Sequence, residues 1–307
     1  MINHYLKLLK GKNFWGILRG IKNVACHSFK KALLFCSPVI KSGVKIDKSI
    51  SVVISLTSFP TRICTVHNCI KTILNQSYKP SIVVLWLAKE QFPKGEADLP
   101  QKLLRLKKYG LTIKWCSDIR SYKKIIPTLN LYPNSIIITT DDDVYYRRNW
   151  LKGLMKAYFQ DPHSVYCYRA AKIHFDEGIV REDPKKGVLY SKPTFLHQQT
   201  GVGGVLYPCG CFFSDVTKEE IFMKLAPTND DLWLWIMNIL NGYRVTVLDD
   251  NDFELFYIKG SQSVSLTSIN DHGEKLFYSQ LSALLNYYPE VISILQNEQK
   301  EFILNNE

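Results

Sequence analysis

No uncharged apolar run in this 307-residue chain reaches the ~18–20 residues that a membrane-spanning helix needs, so a bilayer-threading helix is not expected. Its eight cysteines (Cys26, Cys36, Cys64, Cys69, Cys116, Cys167, Cys209, Cys211) include no Cys-x-x-Cys pair and no second cluster that would complete a tetrahedral ligand set. That spacing excludes a structural zinc site, and a chain of this length needs no disulfide staples, so reduced thiols in a cytosolic setting are expected. Lysines interrupt every stretch that resembles a signal-peptide core, and no small-residue cleavage site follows one. Gly201-Val202-Gly203-Gly204 has neither strand-turn-helix context nor a Lys-Ser/Thr ending, so it is not a phosphate-cradling loop. Internal repeats and low-complexity tracts are absent.

Acid is scarce at the N-terminus. Residues 1–48 hold Lys7, Lys10, Lys12, Arg19, Lys22, Lys30, Lys31, Lys41, Lys45 and Lys48 against Asp47 alone, so they supply nine of the eleven net positive charges. The rest is near neutral, which argues against a basic nucleic-acid groove. Tyr5, Leu6, Leu8, Leu9, Phe14, Trp15, Ile17, Leu18 and Ile21 lie between those lysines, the composition of an amphipathic helix in a membrane interface. The plainer reading is a basic helix packed on its own domain.

What is present supports one folded α/β region. Hydrophobic content of 46% with 22% charge is ordinary for a packed globular chain. Short β-rich runs at Ser51–Leu56, Ile82–Leu87, Thr112–Trp115 and Ser135–Thr139 alternate with helical periodicity at Cys69–Leu74 and around Lys102–Tyr109, where Gly110 supplies a stop. This rhythm predicts a mainly parallel, Rossmann-like sheet with helices on both faces. A polar, irregular stretch follows around Asp176–Lys192, then strand-like Val205–Tyr207. Thr217-Lys-Glu-Glu220 reads as a capping box before Ile221–Leu225, and Asn229 as the cap of a helix from Asp230 to about Leu240. Glu274–Asn305 reads as amphipathic helix.

Ligands of open parallel sheets bind at the carboxyl ends of the strands. Thr57, Ser58 and Arg62, then Asp118, then Asp141-Asp142-Asp143 should therefore face one crevice. Three successive carboxylates after buried Ile136-Ile137-Ile138 repel one another and lose hydration, which a divalent cation relieves. Mg²⁺ or Mn²⁺ commonly bridges one or two protein carboxylates to a diphosphate. The alternative is a solvated acidic turn, which the apolar strand makes less favourable.

Thr139-Thr140-Asp-Asp-Asp143-Val-Tyr-Tyr, followed by Asn149-Trp150-Leu151, resembles the DxD region of GT-A glycosyltransferases, especially the family 2-like enzymes of bacterial surface polysaccharide synthesis. Val52-Val-Ile-Ser-Leu-Thr-Ser-Phe-Pro-Thr-Arg62 is similar to the first strand and donor loop of that group, and the resemblance covers roughly residues 50–250. It implies a nucleotide-sugar donor, with Asp141 and Asp143 at the metal and Thr57, Ser58, Arg62, Asp142 and Lys124 near the donor. Asp118 would accept from a uracil imide, Lys123 and Lys124 would reach phosphates, and His272 would complete the metal shell. Asp230-Asp231-Leu232 opens a helix before Gly242-Tyr243-Arg244, where the family carries its base. The match assigns that role to Asp231, with Asp230 as the preceding acid, although the family's usual pair is Glu-Asp. A base near its ordinary pKa suffices, since the acceptor hydroxyl loses its proton only as the bond forms. Trp233 and Trp235 are core residues by spacing, with sugar stacking as the alternative.

The resulting expectation is an inverting, metal-dependent transferase using a UDP-sugar and a saccharide or lipid-linked saccharide acceptor, with no nucleic-acid partner. It would be cytoplasmic and peripheral on the inner face of the cell membrane, bound to anionic lipid through residues 1–40. The expected organisation is a basic segment (1–48), a GT-A catalytic domain (49–260, divided at 145/146 into nucleotide-sugar and acceptor halves) and a C-terminal loop with helices (261–307). Rival readings are a sugar-nucleotide nucleotidyltransferase, which would want a basic Gly-rich loop after the first strand, and a non-catalytic carbohydrate-binding protein.

Overall fold

Strand-forming Val52–Thr57 (β1), buried along almost its whole length, lies at the heart of a seven-stranded sheet. The computed structural model describes residues 14–39, 41–45, 49–176, 179–182, 192–248, 254–261 and 276–304. These form two compact units, Met1–Pro38 and Val39–Glu307.

In the first unit, helix α1 (Phe14–Cys36) has no acid in its first turn, and Ser37 closes it by donating its N–H (3.1 Å) and hydroxyl (2.7 Å) to the Leu33 carbonyl. Phe29, Leu33 and Phe35 are exposed. No described helix is long and apolar enough to cross a membrane.

In the second unit, β1 is followed by α2 (Val66–Leu74), β2 (Ile82–Ala88), β3 (Leu111–Cys116), β4 (Ile136–Thr139) and β5 (Val144–Tyr145). Then come α3 (Trp150–Gln160), β6 (Ser164–Cys167), β7 (Ala170–Asp176), β8 (Ile179–Glu182), β9 (His197–Gln199) and β10 (Val205–Tyr207). Helices α4 (Glu219–Leu225) and α5 (Asp230–Leu240) precede β11 (Arg244–Val247) and β12 (Phe256–Tyr257), and α6 (Leu276–Tyr287) and α7 (Glu290–Leu304) end the described chain. The sheet order is β11-β6-β10-β4-β1-β2-β3, and only β10 runs against its neighbours. The fold is mixed α/β with a mostly parallel central sheet flanked by helices, as the strand–helix alternation predicts.

Sheet register gathers the loops. Val52 lies opposite Ile136 and Ser55 opposite Thr139 in parallel pairing, so the loops after β1 and β4 leave the sheet side by side. Because β10 is antiparallel, its first residue Val205 faces Thr139 and Cys167, which brings the preceding Gly201–Gly204 turn to that same edge.

Three local expectations resolve differently. The Lys102–Tyr109 stretch splits into a short α-helix (Gln101–Leu104) and a 3₁₀ turn (Arg105–Tyr109), ended by left-handed Gly110 at φ 108°. The Thr217 capping box does not form: Ser214–Thr217 is a 3₁₀ turn and α4 starts after Lys218. There Asp215 pairs with Lys218 at 2.8 Å and accepts the Tyr288 hydroxyl at 3.0 Å, so contacts to the tail helices outweigh the local cap. The tail is two helices, parted at Pro289. Helix α7 docks by Glu298, buried and gripped by Arg244 (2.9 and 3.0 Å), whose guanidinium lies 4.4 Å over the Phe195 ring. The aromatic residues of α5 are core: Trp233 and Trp235 are fully buried and donate to the Val216 and Phe195 carbonyls, which excludes sugar stacking.

Candidate active site

Pro60 opens a short helix after β1 (Pro60–Ile63), as proline at a first helical turn does, and this turns Arg62 back toward the β4 loop. Arg62 Nη1 lies 2.7 Å from Asp142 Oδ1 and 3.3 Å from Asp143 Oδ2, and its Nη2 donates to the Ser261 carbonyl at 2.9 Å. Ser58 donates to Asp142 Oδ2 at 2.6 Å. Asp142 is thus held by the first loop on both oxygens. Thr57 remains on the sheet, donating to the Trp86 carbonyl at 2.9 Å.

The acidic run itself is clamped. The Asp141 N–H donates to the buried Tyr146 hydroxyl at 3.0 Å, the Asp141 carbonyl accepts the Cys69 thiol at 3.3 Å, and the Asp143 carbonyl accepts Ile258 N–H at 2.7 Å. Burial and the neighbouring Asp141 charge push the Asp143 carboxyl up to about 6, against Arg62. Burial likewise raises Asp142, while Arg62 and Ser58 oppose the rise.

Lys124 joins this run to the start of α5. Its ammonium is 2.9 Å from Asp230 Oδ2, 3.3 Å from Asp141 Oδ1 and 3.8 Å from Asp231 Oδ1. Burial disfavours the ammonium, yet Asp230, Asp141 and Asp231 hold its pKa well above the ordinary lysine value. The backbone reaches this geometry through Tyr122, fully buried, stacked on Phe222 at 4.1 Å and donating to the Ala226 carbonyl.

Helix α5 is capped as its sequence predicts, with Asn229 Oδ1 accepting Leu232 N–H at 3.1 Å. Asp231 Oδ2 accepts Gly201 N–H at 2.7 Å, whereas Oδ1 is buried without a hydrogen bond among the described residues. Burial raises this carboxyl to about 7, opposed by Lys124 and reinforced by Asp230 and Asp141. The ordinary pKa expected from the sequence does not hold here, because the loss of water around Oδ1 outweighs the ammonium.

Gly201 must be glycine for this contact: an added Cβ would lie 2.8 Å from Lys124 Nζ and 2.9 Å from Asp231 Oδ1. Gly203 and Gly204 wrap Trp150, whose indole donates to the Gly203 carbonyl at 2.6 Å, and a Cβ at Gly204 would come within 2.3 Å of the ring. The Asn-Trp-Leu and Gly-rich signals of the sequence are therefore one packing unit.

The structure brings together Ser58, Arg62, Asp141, Asp142, Asp143, Lys124, Asp230 and Asp231. Asp118 stands in another cluster, paired with Lys123 and accepting from Gln91 (2.6 Å) and Arg120 N–H (3.1 Å), with Arg120 in left-handed backbone at φ 55°. His272 lies outside the described residues. Tyr146, which holds the Asp141 N–H, and Gly201, which holds Asp231, carried no role of their own in the sequence beyond residue type.

Among the described residues, no three His, Cys, Asp or Glu side chains form a closed metal cage. Magnesium and manganese rarely need one, since one or two carboxylates plus phosphate and water fill their shell. Asp141 and Asp143 fit as such a protein half-shell: hard oxygen donors two residues apart on the clamped acidic run.

No family model matches the sequence, and no curated protein does. Among solved structures, S. aureus TarS 1-349 is similar with a TM-score of 0.43 and 16% identity over 68% of this chain and 60% of that one. A mannosyltransferase from Pyrobaculum calidifontis, PcManGT, solved with GDP-Man and Mn²⁺, gives 0.41 and 15% over 75% and 65%. The inositol-1-phosphate CTP transferase from T. maritima gives 0.42 and 12% over 80% and 98%. The chain thus spans less than two thirds of the first two. Likeness this distant assigns neither family nor activity, which must be read from the site.

Proposed function

We propose that the chain is an inverting glycosyltransferase of the GT-A type, moving a sugar from a nucleoside-diphosphate donor, a UDP-sugar, to a saccharide hydroxyl. One observation carries this reading: the buried ammonium of Lys124 is shared by Asp141 on one side and by Asp230 and Asp231 on the other. It joins a half-shell suited to a diphosphate-bound cation to a carboxylate with a raised proton affinity, the two groups that an inverting displacement needs on opposite sides of one anomeric carbon.

Asp231 Oδ1 takes the acceptor proton as the acceptor oxygen bonds to the anomeric carbon. The bond from that carbon to the diphosphate oxygen breaks on the other face, and the nucleoside diphosphate departs. Gly201 N–H fixes Oδ2, so that Oδ1 is the oxygen left to accept. A divalent cation held by Asp141 and Asp143 would supply charge neutralisation to the leaving diphosphate. Arg62 and Ser58 keep Asp142 turned inward and so set the posture of the run. A nucleotidyltransferase is less well supported, since Ser58 and Arg62 of the first loop are engaged by Asp142 rather than turned to a triphosphate.

The acceptor is proposed to be lipid-linked, an intermediate of bacterial surface polysaccharide met at an anionic membrane on the cytoplasmic face. Helix α1 supports this, with exposed Phe29, Leu33 and Phe35 among basic residues. The test of the activity is Mn²⁺-dependent donor hydrolysis and transfer by Asp143→Ala and Asp231→Asn. Asp231→Asn should lose ~10²–10⁴-fold in transfer while retaining UDP binding. Asp143→Ala should lose metal-dependent binding as well. Wild-type turnover in both variants sinks the mechanism.

A further inference from the structure

Residues 49–307 are near neutral overall, yet their charge is segregated along the chain. No acid occurs in residues 59–89 or 99–117, and the second stretch carries Lys102, Arg105, Lys107, Lys108 and Lys114. The fold sets the two stretches on one flank of the sheet. Helix α2 returns from the end of β1 to the start of β2, and the turns of Gln101–Tyr109 return from β2 to the start of β3, packed beside α2. Residues 41–45 run between their ends. Gly43 N–H donates to the Tyr109 carbonyl at 2.7 Å, Lys45 N–H to the Pro80 carbonyl at 2.9 Å, and a side chain at Gly43 would strike Leu74.

Lys107 is paired with Glu96 at 2.7 Å. Lys41, Lys45, Lys102, Arg105 and Lys108 are exposed and form no ion pair among the described residues. Half-buried Lys79 adds a sixth cation, donating to the Leu74 carbonyl at 2.8 Å where α2 ends. Like charges gathered on one flank repel one another, and an opposing surface of negative charge relieves that repulsion. The chain comes to this flank from α1: Lys41 follows Cys36 by five residues, a covalent tether of at most ~18 Å. Exposed Phe29, Leu33 and Phe35 of α1 suit a bilayer interface. Nucleic acid is favoured less, because the aromatic residues of the flank, Tyr78 and Tyr109, are half-buried and offer bases no open stacking platform.

We propose that this flank of the second unit is a separate, electrostatic contact with an anionic bilayer, one that orients the unit once α1 is seated in the interface. This rests on the membrane reading of α1. Stable anchoring takes two weak signals, and an apolar helix joined to a polybasic face supplies them, so neither holds alone at physiological ionic strength. Because α2 and Gln101–Tyr109 run the length of the strands, a bilayer against them lies alongside the sheet. The crevice at the strand ends then opens at the margin of the contact, within reach of a lipid-linked sugar.

The test is co-sedimentation of the full chain with phosphatidylcholine vesicles made with and without phosphatidylserine. The triple variant Lys102→Gln, Arg105→Gln, Lys108→Gln should bind the anionic vesicles about tenfold or more weakly, with a flatter dependence on salt, while melting like the wild type. Lys41→Gln combined with Lys45→Gln should weaken binding in the same direction, and it carries the test if the triple variant does not fold. An affinity within about twofold of wild type in both variants overturns the flank contact and leaves the role of α1 standing. The same result accompanied by lost binding to duplex RNA overturns it in favour of nucleic acid. A wild type that does not bind the anionic vesicles overturns the membrane reading, and this proposal with it.

Discussion

Asp231 changes its proton affinity on folding, and that sets how the protein responds to pH. Its carboxyl rises from the ordinary 3.8 to about 7, chiefly through burial. The folded state then binds this proton more tightly than the unfolded chain does. The corresponding stability is fully present below the unfolded value and is lost as pH rises through the folded one. Asp231→Asn does not titrate, so its stability relative to wild type should grow between about pH 4 and pH 7 and level off above. Urea unfolding of both proteins at several pH values without divalent metal checks this; a difference constant with pH contradicts the raised carboxyl. The identity of Asp231 was legible because it opens a helix closed by Gly-Tyr-Arg. Its raised pKa was not, since that depends on burial by the tertiary fold and on Asp141, ninety positions away in sequence, against the pull of Lys124 and Gly201.

Elements decide where such residues point. The Gly201–Gly204 turn shows two uses of glycine within four residues: Gly201 leaves room for Lys124 and Asp231, while Gly204, at φ 86°, leaves room for Trp150. Gly201→Ala should cut kcat by about tenfold or more and weaken donor binding as well, because the added Cβ meets both Asp231 and the Lys124 ammonium that pairs with Asp141. Gly204→Ala should instead cost ~1–3 kcal/mol of stability through strain and overpacking. Thermal melts and steady-state kinetics of the pair separate the two; equal kinetic losses and equal melting shifts would deny the division of labour. The sequence showed only that this stretch is no phosphate-cradling loop; β10, running antiparallel between β4 and β6, reveals what it approaches. The failed Thr217 capping box has the same cause: Asp215 finds Lys218 and Tyr288, and tertiary pairing outweighs a local cap.

At the scale of the whole molecule, most of the net positive charge (seven of eleven, in residues 1–38) and the candidate chemistry reside in different units. Residues 1–38 form one and residues 39–307 the other. Deleting residues 1–38 should therefore leave transfer to a soluble acceptor within about twofold, while abolishing co-sedimentation with phosphatidylserine-containing vesicles at physiological ionic strength. Vesicle binding that survives the deletion removes the membrane role of α1. The sequence by itself determined the strand–helix alternation, the crevice at the strand ends, the acidic run and the helix that opens on Asp230-Asp231, because periodicity, apolar runs and cap residues are local signals. Only the tertiary structure decided that Asp142 is held by Ser58 and Arg62, that Lys124 is shared by two acidic segments, and that Asp118 pairs instead with Lys123 and Gln91. Those facts follow from strand order and register, which bring Asp142 to residues eighty or more positions away and Lys124 to Asp230, and which no local pattern encodes.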